Sequence, residues 1–237
     1  MSEFWKESID DGYYDKILTL GLSKNKGIQA NWHNLTFLKV KNYLASNKKH
    51  LDYACGSGTL IGLYSEAQSV GFDISERQIH YANTKYNQKA NFYLSSELNF
   101  EKNLNKYDVI TVLGLLEFLE NKKNIEIINN LRTLLKPNGK LILTTPNFTS
   151  TMYLLEKVIN IFGGVSYQNQ HINKLNKSKL SLLLNQTNFN KIKVQKIINF
   201  PVFLSFININ LAVKFNSLIE KISNNKVGYL LLAELTK

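Results

Sequence analysis

The sequence predicts an α/β protein built on a doubly wound, mostly parallel sheet. Apolar, β-rich runs alternate with helical patterns through residues 48–147, which is typical of a parallel sheet with helices on both faces. The first run ends in an acid and a glycine-rich turn, and the second run ends in another acid, as in nucleotide-binding units. With 237 residues, the chain is long enough for one such domain and a cap.

The glycine-rich turn is the stretch around which the rest of the chain is organised. A strand that begins at residue 50 runs into Asp52-Tyr-Ala-Cys-Gly-Ser-Gly-Thr59, and a helix is predicted over residues 60–67. Gly56 and Gly58 permit a tight turn and leave room for a ligand against the backbone. The next strand ends at Asp73, whose carboxylate is placed to accept hydrogen bonds from ribose hydroxyls.

A dinucleotide is a poorer match for this turn than another nucleotide. The dinucleotide fingerprint would place its third glycine at Ile61. A short-chain NAD(P) enzyme also needs a Tyr-x-x-x-Lys pair, and the nearest one, Tyr81 and Lys85, lies on the wrong predicted helix. The acid at the entry to the turn, Asp52, and the Cys-Gly pair before the second glycine favour a different cofactor.

The other elements follow from periodicity and turn signals. Lys136-Pro-Asn-Gly139 is predicted to end one helix and to launch the fifth strand. The predicted helices are 28–44, 75–89, 125–135, 150–162 and 178–185, and the further strands are 90–94, 107–113, 140–145, 191–198 and 229–235.

The motifs Leu51-Asp-Tyr-Ala-Cys-Gly-Ser-Gly58 and Gly71-Phe-Asp-Ile-Ser75 resemble the first two motifs of class I S-adenosylmethionine (SAM) methyltransferases. The run Leu134-Leu-Lys-Pro-Asn-Gly-Lys-Leu-Ile-Leu143 is also similar to this family, in particular to small-molecule members of the quinone-biosynthesis O-methyltransferase group. The resemblance implies a Rossmann-like, seven-stranded sheet with an antiparallel last strand. It divides the chain into a helical N-terminal cap (1–47), a SAM-binding core (48–147), a substrate lid (148–175) and a C-terminal part of the sheet with an apolar helical insertion (176–237).

The resemblance implies SAM as the cofactor and assigns roles to the residues that match. Gly56 and Gly58 admit the donor, Asp52 orients its amino-acid end, and Asp73 takes the ribose diol. Ser96 or Glu97 meets the adenine. The predicted cofactor-binding set is Asp52, Ala54, Cys55, Gly56, Gly58, Asp73, Ile74, Ser96, Glu97, Leu113 and Gly114.

The acceptor side is expected near the end of the fourth strand and in the lid. Many members of the resembling group have a histidine at the position of Phe118, so one candidate base is absent, and metal-assisted mechanisms that rely on it are in doubt. A base is needed only if the acceptor is protonated, because methyl transfer from SAM depends largely on positioning. The predicted substrate-side residues are His171, His33, Tyr167 and Glu117, and no metal-spaced His/Cys cluster is found.

Charge and composition restrict the acceptor. The formal net charge is +11, but only Arg77 and Arg132 of the 29 basic residues are arginine, whereas readers of nucleic acid rely on arginine. A nucleic-acid methyltransferase would also show an Asn/Asp-Pro-Pro-Tyr-like segment, for which Thr145-Pro-Asn147 is a poor substitute. A small-molecule acceptor is therefore predicted, and the resemblance implies one of hydroxylated, lipid-like or quinone type. Nucleic-acid or protein methylation and a non-catalytic domain of this fold are the alternatives.

The single cysteine, Cys55, excludes an internal disulfide and suits a reducing cytoplasm. The first residues carry acids and no apolar signal core, so the predicted location is cytoplasmic. Residues 200–223 are unusually apolar. Packing on the sheet, peripheral membrane contact and a dimer surface are all open interpretations of this stretch.

Overall fold

A seven-stranded sheet forms the centre of the computed structural model, which describes residues 9–149, 152 and 170–237. The strand order is β3-β2-β1-β4-β5-β7-β6. Strand β7 is antiparallel to both of its neighbours, and the other pairs are parallel. The strands are β1 (Lys49–Tyr53), β2 (Gln68–Asp73), β3 (Asn91–Leu94), β4 (Tyr107–Leu113), β5 (Leu135–Pro146), β6 (Lys191–Ile197) and β7 (Leu230–Thr236). The predicted sheet, with its antiparallel last strand, is confirmed.

Helices cover both faces of this sheet. One buried cluster combines strand residues such as Ile110 and Leu141 with side chains of α5 and α6. The cluster on the other face includes Val109 and Ile142, the neighbouring strand positions, together with side chains of α1, α2 and α7. The helices are α1 (Tyr13–Lys24), α2 (Ile28–Lys41), α3 (Thr59–Tyr64), α4 (Glu76–Tyr86), α5 (Asn121–Leu134), α6 (Lys177–Leu184) and α7 (Ile209–Ser223).

Strand order reverses between β1 and β4, and this reversal positions the ligand crevice. The chain leaves β1 toward β2 and β3 on one side, and it returns to β4 on the other side. In open α/β sheets, ligands bind outside the carboxyl ends of the strands at such a switch point. The glycine-rich turn directly follows β1 and therefore lies at this crevice.

Several elements differ from their predicted bounds; helix α5, for example, begins at Asn121 rather than at residue 125. Helix α3 ends at Tyr64, because the amide of Glu66 already donates to the Leu44 carbonyl and the chain enters β2. Strand β5 begins directly after α5, and residues 136–139 form a bulge within the strand rather than a turn before it. The apolar stretch 200–223 is a 3₁₀ segment, Phe200–Phe206, followed by α7, whose N-cap Asn208 accepts from the Leu211 amide. The helix predicted over 150–162 lies outside the described residues, apart from Met152.

Helix α1 is fixed to α4 by one fully buried carboxylate. Asp15 accepts hydrogen bonds from the hydroxyls of Tyr81, at 2.8 Å, and Tyr86, at 2.5 Å, and it forms an ion pair with Lys85. Tyr81 and Lys85, the pair that resembled a dehydrogenase motif, thus hold the N-terminal helix in place. None of the helices in the described ranges is long and apolar enough to span a bilayer.

Candidate active site

The turn after β1 reverses the chain by placing alternate residues in the left-handed region. Ala54, Gly56 and Gly58 have φ values of 62°, 51° and 73°. The amide of Gly58 donates to the Cys55 carbonyl at 3.0 Å, and Gly58 then becomes the N-cap of α3. Glycine adopts this conformation without the steric cost that a Cβ imposes. The turn therefore exposes its backbone toward the crevice at the carboxyl end of β1.

Gly56 and Gly58 serve this turn in different ways. Among the described residues, no atom lies within 4 Å of the position that a Cβ on Gly56 would occupy. A Cβ on Gly58 would lie 2.6 Å from the Phe92 side chain and 3.1 Å from Ala82. Gly58 thus allows the turn to pack on β3 and α4, whereas the open space is at Gly56. Space for the predicted donor is therefore found at Gly56. A larger residue at Gly58 would disturb the packing of the turn against Phe92.

Ala54 carries backbone strain that a glycine would relieve. We expect Ala54→Gly to stabilise the fold by about 0.5–1 kcal/mol, because the cost of a left-handed alanine exceeds the entropy that glycine adds to the unfolded chain. Thermal unfolding followed by circular dichroism measures this difference. Ala45→Gly is the matched control, because Ala45 has no positive φ. Equal destabilisation by both changes would show that Ala54 is not strained.

Asp73 joins the end of β2 to the glycine-rich turn. Its Oδ2 atom accepts from the Gly56 amide at 2.8 Å, and its Oδ1 atom accepts from the Ser75 amide at 2.9 Å. Burial raises the pKa of this carboxyl, and the amide donors oppose that shift. Asp73 therefore fixes the open position of the turn, and its contact with a ribose stays a prediction. Ile74 follows it, half-buried.

Asp52 is held at the end of β1 by a buried chain of polar side chains. The Thr111 hydroxyl donates to Asp52 Oδ1 at 2.5 Å, and His50 Nε2 lies 2.8 Å from Thr111 Oγ1. His50 Nδ1 lies 3.0 Å from Ser69 Oγ. Burial lowers the pKa of His50 to about 3, so the ring is neutral. With Thr111 donating to Asp52, the ring must donate from Nε2 and accept from Ser69 at Nδ1.

Burial and the Thr111 hydrogen bond act in opposite directions on the pKa of Asp52. Burial raises the Asp52 pKa to about 7, while the Thr111 hydrogen bond opposes the shift. His50 and Thr111 were not identified from the sequence. Each is a polar residue in an otherwise apolar strand, which was the available signal. Their proximity follows only from the strand register, which pairs Asp52 of β1 with Thr111 of β4.

We expect Thr111→Val to make donor binding more sensitive to acid. Removal of the hydroxyl raises the Asp52 pKa further, so the carboxylate that would face the donor's ammonium group becomes protonated at a higher pH. The affinity for S-adenosylhomocysteine should fall below about pH 7 in the wild type and at a higher pH in the variant. Thr111→Ser, which keeps the hydroxyl, should behave like the wild type. Identical pH profiles for all three proteins would refute this role.

The residues predicted to meet the adenine follow β3 in a 3₁₀ turn, Ser95–Glu97. Ser96 and Glu97 are both exposed. Glu97 Oε1 turns back to accept from the Leu94 amide at 2.8 Å, which caps the turn. A contact between either side chain and adenine stays a prediction.

Cys55 lies in the turn as a half-buried, reduced side chain. Burial and the neighbouring carboxylates of Asp73 and Asp52 raise the pKa of its thiol well above the ordinary value. A thiol that resists ionisation is a poor nucleophile. Cys55 therefore acts as a small residue of the turn, and among the described residues no His, Cys, Asp or Glu cluster could hold a metal ion.

Glu117 places a buried carboxyl at the carboxyl ends of β4 and β5. It lies in a 3₁₀ turn after Leu113 and Gly114, and its Oε2 atom accepts from the Thr145 hydroxyl at 3.0 Å. Its Oε1 atom is 3.6 Å from the position of a Cβ on Gly114. Burial raises the Glu117 pKa to about 7. A carboxyl with such a pKa can exchange a proton near neutral pH.

The structure brings His171 next to this carboxyl-bearing turn. Its ring stacks on Phe118 with centroids 5.1 Å apart and meets the edge of Phe148 at 5.3 Å. The amide of Asn173 donates to the Glu117 carbonyl at 2.9 Å. His171 thus supplies an imidazole beside Phe118, the position to which the sequence resemblance assigned a histidine.

The other two substrate-side candidates are His33 and Tyr167. His33 lies half-buried in α2 between Tyr14 and Phe37, with ring centroids 5.3 Å and 6.1 Å away. Burial lowers its pKa to about 4, so its ring is neutral at physiological pH. Tyr167 lies outside the described residues.

Comparison with known proteins supports one interpretation of this site. Residues 28–194 match the family model described as a methyltransferase domain. The ubiquinone biosynthesis O-methyltransferase of Rickettsia typhi is 27% identical over 196 residues, which cover 70% of this chain and 78% of that protein. The enzyme of the same name from Rickettsia bellii is 31% identical over 133 residues, about half of each protein (52%).

A solved structure has the same fold. A SAM-dependent methyltransferase from Archaeoglobus fulgidus superimposes with a TM-score of 0.59 at 17% identity, covering 86% of this chain and 94% of that chain. The family match therefore includes the turn, Asp73 and Glu117, and the structural match extends over the sheet.

Proposed function

The chain belongs to the methyltransferase-domain family and is a SAM-dependent methyltransferase; from this premise we propose that it methylates an oxygen of a small, hydroxylated and largely apolar molecule. The observation that carries the proposal is the buried carboxyl of Glu117, which lies beside Gly114 and has a pKa raised to about 7. A hydroxyl acceptor must lose its proton during methylation, and a carboxyl of this pKa is suited to take it.

The donor is expected to lie over the turn after β1. Its sulfonium supplies an activated methyl group. Gly56 leaves the open space that the donor needs, and the Asp73 carboxylate lies beside it to receive the ribose hydroxyls. Asp52, held by Thr111, faces the amino-acid end. Leu113 and Gly114 border the methyl region.

On the acceptor side, the residues must orient a hydroxyl and exclude water. Glu117 Oε1 takes the hydroxyl proton, while the Thr145 hydroxyl, which donates to Oε2, fixes the carboxyl. His171, stacked on Phe118, borders the same space and orients the acceptor ring. Leu113, Trp32 and Phe203 are partly buried apolar residues that pack against one core cluster, and such apolar surroundings would favour an apolar acceptor.

The chemical class of the acceptor follows from this combination. A protonated oxygen next to a buried base and apolar walls describes a phenol or catechol with an apolar substituent. The two Rickettsia relatives are named for O-methylation in ubiquinone biosynthesis, and we extend that quinone-type class to this chain as a proposal. We also propose that the reaction takes place in the cytoplasm.

We expect Asp73→Ala to weaken S-adenosylhomocysteine binding by about 1–3 kcal/mol, or about 5- to 150-fold, through loss of buried hydrogen bonds. Calorimetric titration measures the change. Asp11→Ala is the control, because Asp11 is exposed and forms a surface pair with Arg77. Unchanged affinity in Asp73→Ala would reject its assignment to the ribose.

The function is tested by transfer of labelled methyl from SAM to a panel of acceptors. The panel contains a prenylated catechol, a catechol without the apolar chain, a duplex RNA, a duplex DNA and an unrelated protein. We expect label in an ether-linked methyl of the prenylated catechol and less in the plain catechol. Label confined to nucleic acid or protein would support one of the alternative methyltransferase classes. No transfer to any acceptor, with donor binding intact, would contradict the assigned acceptor class.

A further inference from the structure

Helix α7 turns two of its polar residues inward, beside two buried apolar residues. Asn216 and Glu220 are 1% and 4% exposed. Asn216 Oδ1 accepts from the Asn199 amide at 2.7 Å, and Glu220 Oε1 accepts from the Ile198 amide at 3.2 Å. Ile198 is a β-branched residue with a φ of 58°, a conformation that its surroundings must hold in place. Helix α7 therefore caps the end of β6 with its polar residues.

The opposite side of α7 is apolar and faces outward. Leu211, Phe215, Leu218 and Ile222 recur at helical spacing and are 44%, 43%, 50% and 76% exposed. These four residues are called the apolar stripe below. Phe206 and Ile207, 75% and 66% exposed, precede the helix and extend the same apolar character.

The orientation of the helix is fixed, so the stripe cannot turn inward. A rotation would remove Asn216 and Glu220 from the two backbone amides at the end of β6, and it would break the ion pair of Glu220 with Lys39. Leaving such buried groups without partners is costly. The outward stripe is thus the arrangement that the inward polar contacts select.

Exposed lysines lie along one flank of the apolar stripe and near its start; these four, Lys24, Lys26, Lys214 and Lys221, are called the lysine rim below. Lys214 and Lys221 are exposed on α7 itself. Lys24 and Lys26 flank Asn25, whose carbonyl accepts from the Ile209 amide at the start of the helix, at 2.9 Å. The sequence has no acid between residues 16 and 49, and the only acid between 191 and 229 is the buried Glu220. An outward apolar face with a rim of lysines is the pattern of a surface that binds anionic lipid.

We propose that the apolar stripe and its lysine rim are a docking surface for an anionic lipid bilayer. The charge distribution selects this occupant over a second copy of the chain, because two copies would bring like-charged rims together. A bilayer supplies both the apolar medium for the stripe and the negative charge for the rim.

The docking surface and the acceptor side of the site lie over the same face of the sheet. Phe203 of the 3₁₀ segment and Leu113 both pack against the buried cluster on that face. At the end of β5, the amide of Asn147 donates to the Tyr229 carbonyl, and the Tyr229 amide donates to the Ile198 carbonyl. Bilayer docking would therefore place an apolar acceptor beside its binding space. This last consequence rests on the proposed function, whereas docking itself does not.

Flotation of the full-length protein with lipid vesicles tests the docking. The vesicles are phosphatidylcholine alone or a three-to-one mixture with phosphatidylglycerol. The Leu218→Gln/Ile222→Gln variant weakens the stripe, and Lys214→Ser/Lys221→Ser weakens the rim. The matched control is Leu104→Gln/Leu182→Gln, which changes two leucines that are 53% and 66% exposed elsewhere. Affinity for S-adenosylhomocysteine, measured on each protein, confirms that the fold and donor site persist.

We expect the wild type and the control to float with the mixed vesicles and to remain largely in solution with phosphatidylcholine alone. The vesicle-bound fraction of each docking variant should be at least fivefold lower than that of the wild type, with affinity for S-adenosylhomocysteine unchanged. The proposal would be overturned if the wild type bound neither kind of vesicle, or if the docking variants floated like the control. It would also be overturned if the wild type bound no vesicles and formed a dimer in sedimentation velocity that the stripe variant abolished. Vesicle binding without methyl transfer would reject the proposed function and leave docking supported.

Discussion

Gly56→Val is expected to abolish S-adenosylhomocysteine binding while the protein remains folded. In the part of the chain that the structure describes, no atom lies within 4 Å of the position that a Cβ would take on Gly56, so a Cβ there meets no steric clash. That same space is the one assigned to the donor. We expect a loss of at least about 100-fold in affinity, because steric exclusion removes the binding mode rather than one contact. Calorimetric titration measures it.

Backbone strain at Gly56 must be separated from steric exclusion, because its φ of 51° disfavours valine. Asn138→Val is the matched control. Asn138 has a φ of 62° and lies exposed in the β5 bulge, so the substitution carries similar strain without contacting the donor site. The control should lose stability and keep its affinity. Retained binding in Gly56→Val would show that the donor does not pass over this glycine.

Glu117→Gln is expected to lower kcat by about 10²- to 10⁴-fold with little effect on donor affinity, because it removes the proposed base. The wild-type kcat should rise with pH through the Glu117 pKa of about 7 and level off above it, since only the ionised carboxylate accepts a proton. The variant should lack this rise. Glu101→Gln, which changes an exposed carboxylate, should leave both kcat and its pH dependence unchanged.

The alternative base is distinguishable in the same experiment. If the rise persists in Glu117→Gln and disappears in His171→Ala, the imidazole beside Phe118 accepts the proton, and the role assigned to Glu117 is wrong. We expect His171→Ala to lower turnover with donor binding intact, since its ring stacks on Phe118 beside the proposed acceptor space.

Much of the sheet was predictable from the sequence, because local signals specify it. The strand 107–113 and the turn after β1 depend on β-rich apolar runs and glycines, which act through short-range backbone preferences. The bulge at 136–139 was missed because Pro-Asn-Gly signals a turn, and the sequence does not show that Leu135 is already paired with β4. Element bounds set by tertiary hydrogen bonds, such as the end of α3, have no local signal.

The candidate site residues could be named from the sequence, and their roles stay predictions. Asp52, Asp73 and Glu117 were named in this way, but the buried link from His50 through Thr111 to Asp52 depends on register between strands distant in sequence. The two turn glycines cannot be told apart in the sequence. In the structure, Phe92 lies against Gly58 and leaves Gly56 open. For α7, periodicity indicates an apolar side but not its direction. The backbone amides at the end of β6 decide that the polar side faces inward.

The donor site at the turn after β1 is the central claim, and calorimetric titration of the wild-type protein with S-adenosylhomocysteine, against NAD as the control, tests it most directly. We predict micromolar binding of S-adenosylhomocysteine and none of NAD. Binding of NAD in its place would contradict the assignment of Asp52, Gly56 and Asp73 to a methyl donor. Absence of binding by either ligand would contradict the claim that this chain holds its donor without a partner.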